Sequence, residues 1–223
     1  MVSAAGIEPA QTQSVVDSEE SPQRRVFVHV GAPKTGTTFL QAVLWKNRGA
    51  LAEAGVCYPL ERAGEHFDAT MDLRQMAWGG ERKAEWVGAW ERLAARVRSW
   101  DGPVAVISNE LLGGASVEQV ARAVASLAPA QVHVVFTARD LARQLPSDWQ
   151  EQLKHRKTVG LEDFVADCVQ QGAAGRFGQA FWRLHDAAAV LERWASAVPA
   201  QRIHVVTVPQ PGAPPGKIGR AHV

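Results

Sequence analysis

Lys34, Thr35, Gly36, Thr37 and Thr38 stand between an apolar, β-branched run, Val26-Phe27-Val28-His29-Val30, and a pattern that continues with Phe39-Leu40. A cation, a glycine and three hydroxyls at such a junction suit the binding of a phosphate. The first N–H groups of a helix lack intrahelical partners and carry the positive end of its dipole, which favours an anion there. Gly36 lets the backbone come close to a phosphate, the threonines add hydroxyl donors, and Lys34 adds a mobile positive charge. A hundred residues on, a second apolar run, Val132-His133-Val134-Val135-Phe136-Thr137, ends at Arg139-Asp140, and Ser147 lies eight residues after Arg139. A guanidinium offers a planar fork to phosphate oxygens and a serine adds a short donor. The chain therefore carries the parts for two phosphates.

The place of the lysine separates the chemistries. A G-x-x-x-x-G-K-[ST] loop has lysine directly after its second glycine. Gly31 and Gly36 have that separation, but Thr37 follows Gly36 and the lysine comes earlier, at Lys34. Pro33-Lys34-Thr35-Gly36-Thr37-Thr38-Phe39-Leu40 instead resembles the 5′-phosphosulfate loop of sulfotransferases that use 3′-phosphoadenylyl sulfate (PAPS). Arg139 and Ser147 match, residue by residue, the pair with which that family holds the 3′-phosphate. The resemblance covers about residues 25–210 and departs at Leu141, where the family usually has proline; here the proline is Pro146.

That resemblance implies in-line transfer of a sulfo group from PAPS to a hydroxyl or amine of a small-molecule or carbohydrate acceptor. Lys34 would stabilise the leaving phosphate. Thr35, Gly36, Thr37 and Thr38 would cradle the 5′-phosphate, Arg139 and Ser147 would hold the 3′-phosphate, and no metal is implied. Three residues compete as general base. His66, in a stretch read as a loop after Cys57-Tyr58-Pro59, has the ordinary imidazole pKa that suits the task. Glu110 falls at the C-terminal end of the run 104–108, and Glu65 precedes His66. Each of the three also reads as an ordinary surface charge. A P-loop kinase-like phosphoryl transferase, which would need magnesium, and a nucleotide-binding module without turnover are the competing readings.

The elements that must position these residues follow from periodicity. Short, nearly continuous apolar runs at 26–30, 104–108, 132–137 and 203–208 predict strands covered on both faces. Helical patterns separate them, over 37–48, 82–100, 117–127, 141–155, 161–170 and 181–198. Such alternation predicts an α/β, three-layer, P-loop-like fold: a central parallel sheet flanked by helices. Phe39, Leu40, Val43 and Leu44 are expected to share one helix face. Trp86, Trp90, Leu93, Val97 and Trp100 form a stripe read as core packing, with an aromatic substrate platform as the lesser alternative. His29, His133 and His204 fall in strand patterns and read as core or sheet-edge residues. Lys154-His155-Arg156-Lys157 reads as a helix end near a dipole that favours cations, or else as the rim of a site for an anionic acceptor.

Composition excludes several classes. With 24 Lys and Arg against 23 Asp and Glu, the chain has no global field that would draw it to nucleic acid. Its two cysteines, Cys57 and Cys168, make no disulfide framework or metal-ligand spacing. No apolar run approaches the ~20 residues of a membrane span. A cytoplasmic, bacterial protein is the expectation. Residues 1–24 lack the order of a signal peptide and read as a disordered tail, followed by the sulfotransferase-like domain over 25–216. Residues 217–223, Lys-Ile-Gly-Arg-Ala-His-Val, read as a translated sequencing adapter, which would make the natural domain continue past Gly216.

Overall fold

The computed structural model describes residues 23–209 and the backbone of the strand 219–221. Its strands are β1 (Arg25–His29), β2 (Val56–Cys57), β3 (Val104–Ser108), β4 (Gln131–Ala138), β5 (Ile203–Thr207) and β6 (Gly219–Ala221). They form one sheet in the order β2-β3-β1-β4-β5-β6, in which β1 to β5 are parallel and β6 is antiparallel to β5. The four strands expected from β-branched runs are all present. Two residues are too few to make a periodic signal, which is why β2 was not among them. Strand β6 falls in the stretch read as an adapter scar; the rest of that stretch, and residues 1–22 of the expected tail, lie outside the described residues.

The helices are α1 (Thr37–Lys46), α2 (Arg48–Glu53), α3 (Glu65–Leu73), α4 (Ala89–Arg98), α5 (Val117–Ser126), α6 (Leu141–Lys154), α7 (Leu161–Gln170), α8 (Gly178–His185) and α9 (Ala187–Ala195). Three expected helices are divided. The pattern over 37–48 ends at Asn47, which caps α1, so that α2 begins anew at Arg48. That over 82–100 is broken at Gly88, whose φ of 72° leaves a short 3-10 turn, Ala84–Trp86, ahead of α4. That over 181–198 is parted at Asp186, whose carboxylate accepts from the Ala189 N–H at 3.1 Å and starts α9 as an N-cap. Helix α3 was not expected, because Gly64 starts it without a capping side chain.

The tryptophan stripe is core: Trp86 and Trp90 are each 1% exposed, and the Trp90 indole donates to Ser126 Oγ at 2.8 Å. Trp90 joins Val26, Val28, Ile107, Val134, Phe136 and Trp194 in one apolar cluster over one face of the sheet. A smaller cluster, Leu145, Phe164, Cys168 and Phe181, ties α6 to α7 and α8. Helix α1 departs from expectation: it buries only Thr37, with Phe39 at 76% exposed and Leu40 and Val43 also open. Its main packing partner is α2, and among the described residues Phe39, Leu40 and Val43 belong to neither apolar cluster. On the half-buried face of the sheet, His133 and His204 stack at 5.3 Å between ring centres, and Phe27 lies 4.9 Å from His133.

Strand order sets the site. From the central strand β1 the chain first builds β2 and β3 on one side, then crosses to β4 on the other. Ligands of such sheets bind beyond the strand ends at that reversal. Lys34 follows β1, Glu110 follows β3 and Arg139 follows β4.

Candidate active site

The loop after β1 turns sharply. Gly31, Lys34 and Gly36 have φ of 127°, 62° and 90°. At Gly31 a Cβ would also lie 3.2 Å from the Glu110 carbonyl, so the glycine lets the loop pack against the chain that leaves β3. At Gly36 the space beside the backbone is open, and the Leu40 N–H is the first in α1 to reach back, to the Gly36 carbonyl. No side chain caps α1, which leaves its first N–H groups facing the loop. Thr37 is buried and Thr38 exposed, while Thr35 Oγ1 donates to the Ala32 carbonyl at 2.7 Å. The residues expected to cradle a phosphate are thus together, at an uncapped helix start.

Arg139 joins the two expected phosphate sites. Its Nη1 donates to the Lys34 carbonyl at 3.0 Å and to Ser147 Oγ at 3.3 Å. Asp140 begins α6 by accepting from the Arg143 N–H at 3.1 Å, which holds Arg139 at the strand end and Ser147 on the second turn. Pro146 lies within α6, so the departure from the usual proline spacing leaves the Arg–Ser pair in place. Lys34 Nζ pairs with the Glu151 carboxylate, and that bond holds the Glu151 carboxyl below the usual carboxylate range. Glu151 was not singled out in the sequence, though its place one turn beyond Ser147 puts it on the same helix face.

Glu110 begins a 3-10 turn, Glu110–Gly114, and its carboxylate accepts from Gln41 Nε2 of α1 at 3.0 Å. Asn109 starts the turn by accepting from the Leu111 N–H. Three arginines then take up its carbonyls: Arg74 that of Leu111, Arg193 that of Gly113 and Arg183 that of Gly114, each at 2.8 Å. A Cβ at Gly113 would sit 2.6 Å from the Val30 carbonyl, so this turn is pressed onto the end of β1. Glu110 is accordingly held beside the loop.

His66 is placed differently from expectation. It stands in the first turn of α3 rather than in a loop, 4% exposed, with Tyr58 edge-on at 4.8 Å. Its Nδ1 accepts from the Ser108 N–H at 3.3 Å, and burial pushes its pKa down to about 3. It is tied to the strand end and closed to solvent. Glu65, beside it, accepts from the Glu61 N–H and pairs with Arg96 at 3.3 Å, so it serves the entry to α3. His29 is likewise buried, and its pKa is pushed down to about 4.

These two histidines make the fold sensitive to acid. Both have native pKa values below the unfolded value of about 6.5, so the unfolded chain takes up protons that the native chain refuses. Their stabilisation is complete above pH 6.5 and declines as pH falls towards 4 for His29 and 3 for His66. Each contributes a slope of up to about 1.4 kcal/mol per pH unit in that window. Urea midpoints should fall between pH 7.5 and pH 5, and less steeply in His66→Gln; an equal slope in the variant would assign the acid sensitivity elsewhere.

Fold and site together define a class: a parallel α/β domain with a glycine-containing loop and an uncapped helix start after its central strand, and an arginine at the end of the neighbouring strand. Within it, the fold is similar to that of a sulfotransferase from Alicyclobacillus acidocaldarius, with a TM-score of 0.52 and 17% identity over 83% of this chain and 73% of that one. At that identity the likeness is one of fold. No family model matches the sequence, and no curated protein does. Among the described residues no helix is long and apolar enough to cross a membrane, and no three His, Cys, Asp or Glu side chains are grouped to hold a metal ion.

Proposed function

We propose that this protein is a sulfotransferase that moves a sulfo group from PAPS to a hydroxyl or amine of a small-molecule or carbohydrate acceptor. The observation that carries the reading is the Arg139 guanidinium, bonded at once to Ser147 and to the carbonyl of Lys34. Those bonds join the Arg139–Ser147 pair to the Lys34–Thr38 loop, which supports reading the two as one site for a nucleotide with both a 3′- and a 5′-phosphate. The fold it shares with a bacterial sulfotransferase supports the same chemistry.

In this reading the N–H groups at the start of α1 and the hydroxyls of Thr35, Thr37 and Thr38 hold the 5′-phosphate, with Gly36 giving close access. Arg139 and Ser147 hold the 3′-phosphate. Lys34 exchanges Glu151 for the phosphate oxygen that gains charge as its bond to sulfur breaks. Glu110, aligned by Gln41, accepts the proton that the acceptor loses as its oxygen or nitrogen bonds to sulfur. Glu110 is preferred to His66 because its carboxylate faces α1 beside the loop, whereas the His66 ring is enclosed. We place the protein in the cytoplasm.

Calorimetric titration with adenosine 3′,5′-bisphosphate (PAP) against ATP–Mg²⁺ tests the donor. PAP should bind more tightly; the opposite preference would favour a kinase-like transferase. Arg139→Ala should weaken PAP by about tenfold to a hundredfold, the value of a charge-assisted hydrogen bond, and leave adenosine 5′-phosphate nearly unchanged. Equal losses for both would give Arg139 another role. An acceptor screen read by mass spectrometry for an added sulfo group tests turnover and identifies the acceptor.

A further inference from the structure

His29, the last residue of the central strand, bridges both strands that carry the other site residues. Its Nδ1 lies 2.8 Å from Ser108 Oγ on β3, and its Nε2 lies 3.1 Å from Thr137 Oγ1 on β4. Ser108 is two residues before Glu110, and Thr137 is two before Arg139. Thr137 Oγ1 in turn donates to the Gly31 carbonyl at 2.8 Å and lies 2.6 Å from Thr35 Oγ1, which also meets the Ala32 carbonyl. These bonds run from the strand into the backbone of the phosphate loop.

Thr137 and Thr35 each have one hydroxyl hydrogen for several neighbours. With the Thr137 hydrogen on the Gly31 carbonyl, the contact with His29 takes its hydrogen from Nε2 of a neutral ring and Nδ1 accepts from the Ser108 hydroxyl, while Thr35 shares its one hydrogen between Thr137 and the Ala32 carbonyl. An apolar ring of the same size would fill the space but leave the buried Ser108 hydroxyl and Thr137 Oγ1 each without this partner.

We infer that His29 is a positioning residue for the phosphate loop, acting through Thr137 and Thr35 to set the turn that presents Lys34 to Thr38. The inference rests on the sulfotransferase reading only in taking PAP as the probe. An asparagine amide reaches the place of Nδ1 and a glutamine amide that of Nε2, so His29→Asn retains the Ser108 contact and His29→Gln the Thr137 contact.

His29→Asn and Thr137→Val should each weaken PAP and adenosine 5′-phosphate alike, by about tenfold for one hydrogen bond. The double variant should lose little more than either alone, because both cut the same link. His29→Gln should stay within about threefold of the parent. Thermal unfolding of all four variants separates positioning from general loosening, since His29→Asn and His29→Gln each give up one buried hydrogen bond. Equal affinity losses in those two variants, additive losses in the double variant, or affinities that follow unfolding temperature would overturn the inference. If the parent binds neither nucleotide, the sulfotransferase reading fails instead. The same proteins titrated with inorganic pyrophosphate then carry the test, with the same order expected and the same outcomes counting against it.

Discussion

Replacing Lys34 by alanine is expected to lower turnover by two to three orders of magnitude while leaving the unfolding temperature almost unchanged. Stability should hold because the side chain lies on a partly open loop, and its bond is to Glu151, whose side chain is about a third exposed. The φ of 62° is a cost that lysine already meets and alanine would meet equally. The link from Arg139 to residue 34 also survives, since it uses the backbone carbonyl. The loss falls on the transition state: charge gathers on the leaving phosphate as its bond to sulfur breaks, and a donor aimed there contributes roughly 3–4 kcal/mol, by analogy with an oxyanion-hole deletion. PAP affinity should fall much less than turnover. Turnover with the acceptor found by screening, followed beside PAP calorimetry, is the measurement. An unchanged rate would remove Lys34 from the chemistry.

The parts of this site that were legible in the sequence are local ones. Lys34 to Thr38 and the Arg139–Ser147 spacing each lie within one strand–loop–helix passage, where residue types and their order set the geometry directly. The four longer strands were legible because β-branched runs have no competing helical reading. What was not legible depends on contacts across the sheet. Glu151 meets Lys34 from α6, 117 positions away in sequence, and no pattern near either residue announces the pair. His66 was read as loop because Gly64, with φ of 90°, starts α3 without a capping side chain. The same absence hid the depth at which its ring lies. Asp186 did carry a capping signal, but the apolar pattern running through it suggested one helix where there are two. The exposed apolar residues of α1 follow a good helical period, which says that they share a face and nothing about what that face meets.

Glu110→Gln is the other substitution expected to act chiefly on the chemical step. The amide is nearly isosteric, and its oxygen can still accept from Gln41, so the turn Glu110–Gly114 and the three arginines on its carbonyls should remain as they are. PAP binding should also persist, because in the proposed mechanism Glu110 serves the acceptor and neither phosphate group needs it. A glutamine cannot take up a proton at neutral pH, so the acceptor must lose its proton to water. General-base catalysis of this kind is worth about 10²–10⁴ in rate, and turnover should fall within that range. The pH–rate profile gives the sharper readout: its acidic limb, which records protonation of the base, should vanish in Glu110→Gln and persist in His66→Gln. The contrast follows from the enclosure of His66, whose ring serves the Ser108 N–H and offers no face to an acceptor. Should His66→Gln abolish the limb while Glu110→Gln retains it, α3 would have to open during turnover to expose that ring, and Glu110 would lose the assignment.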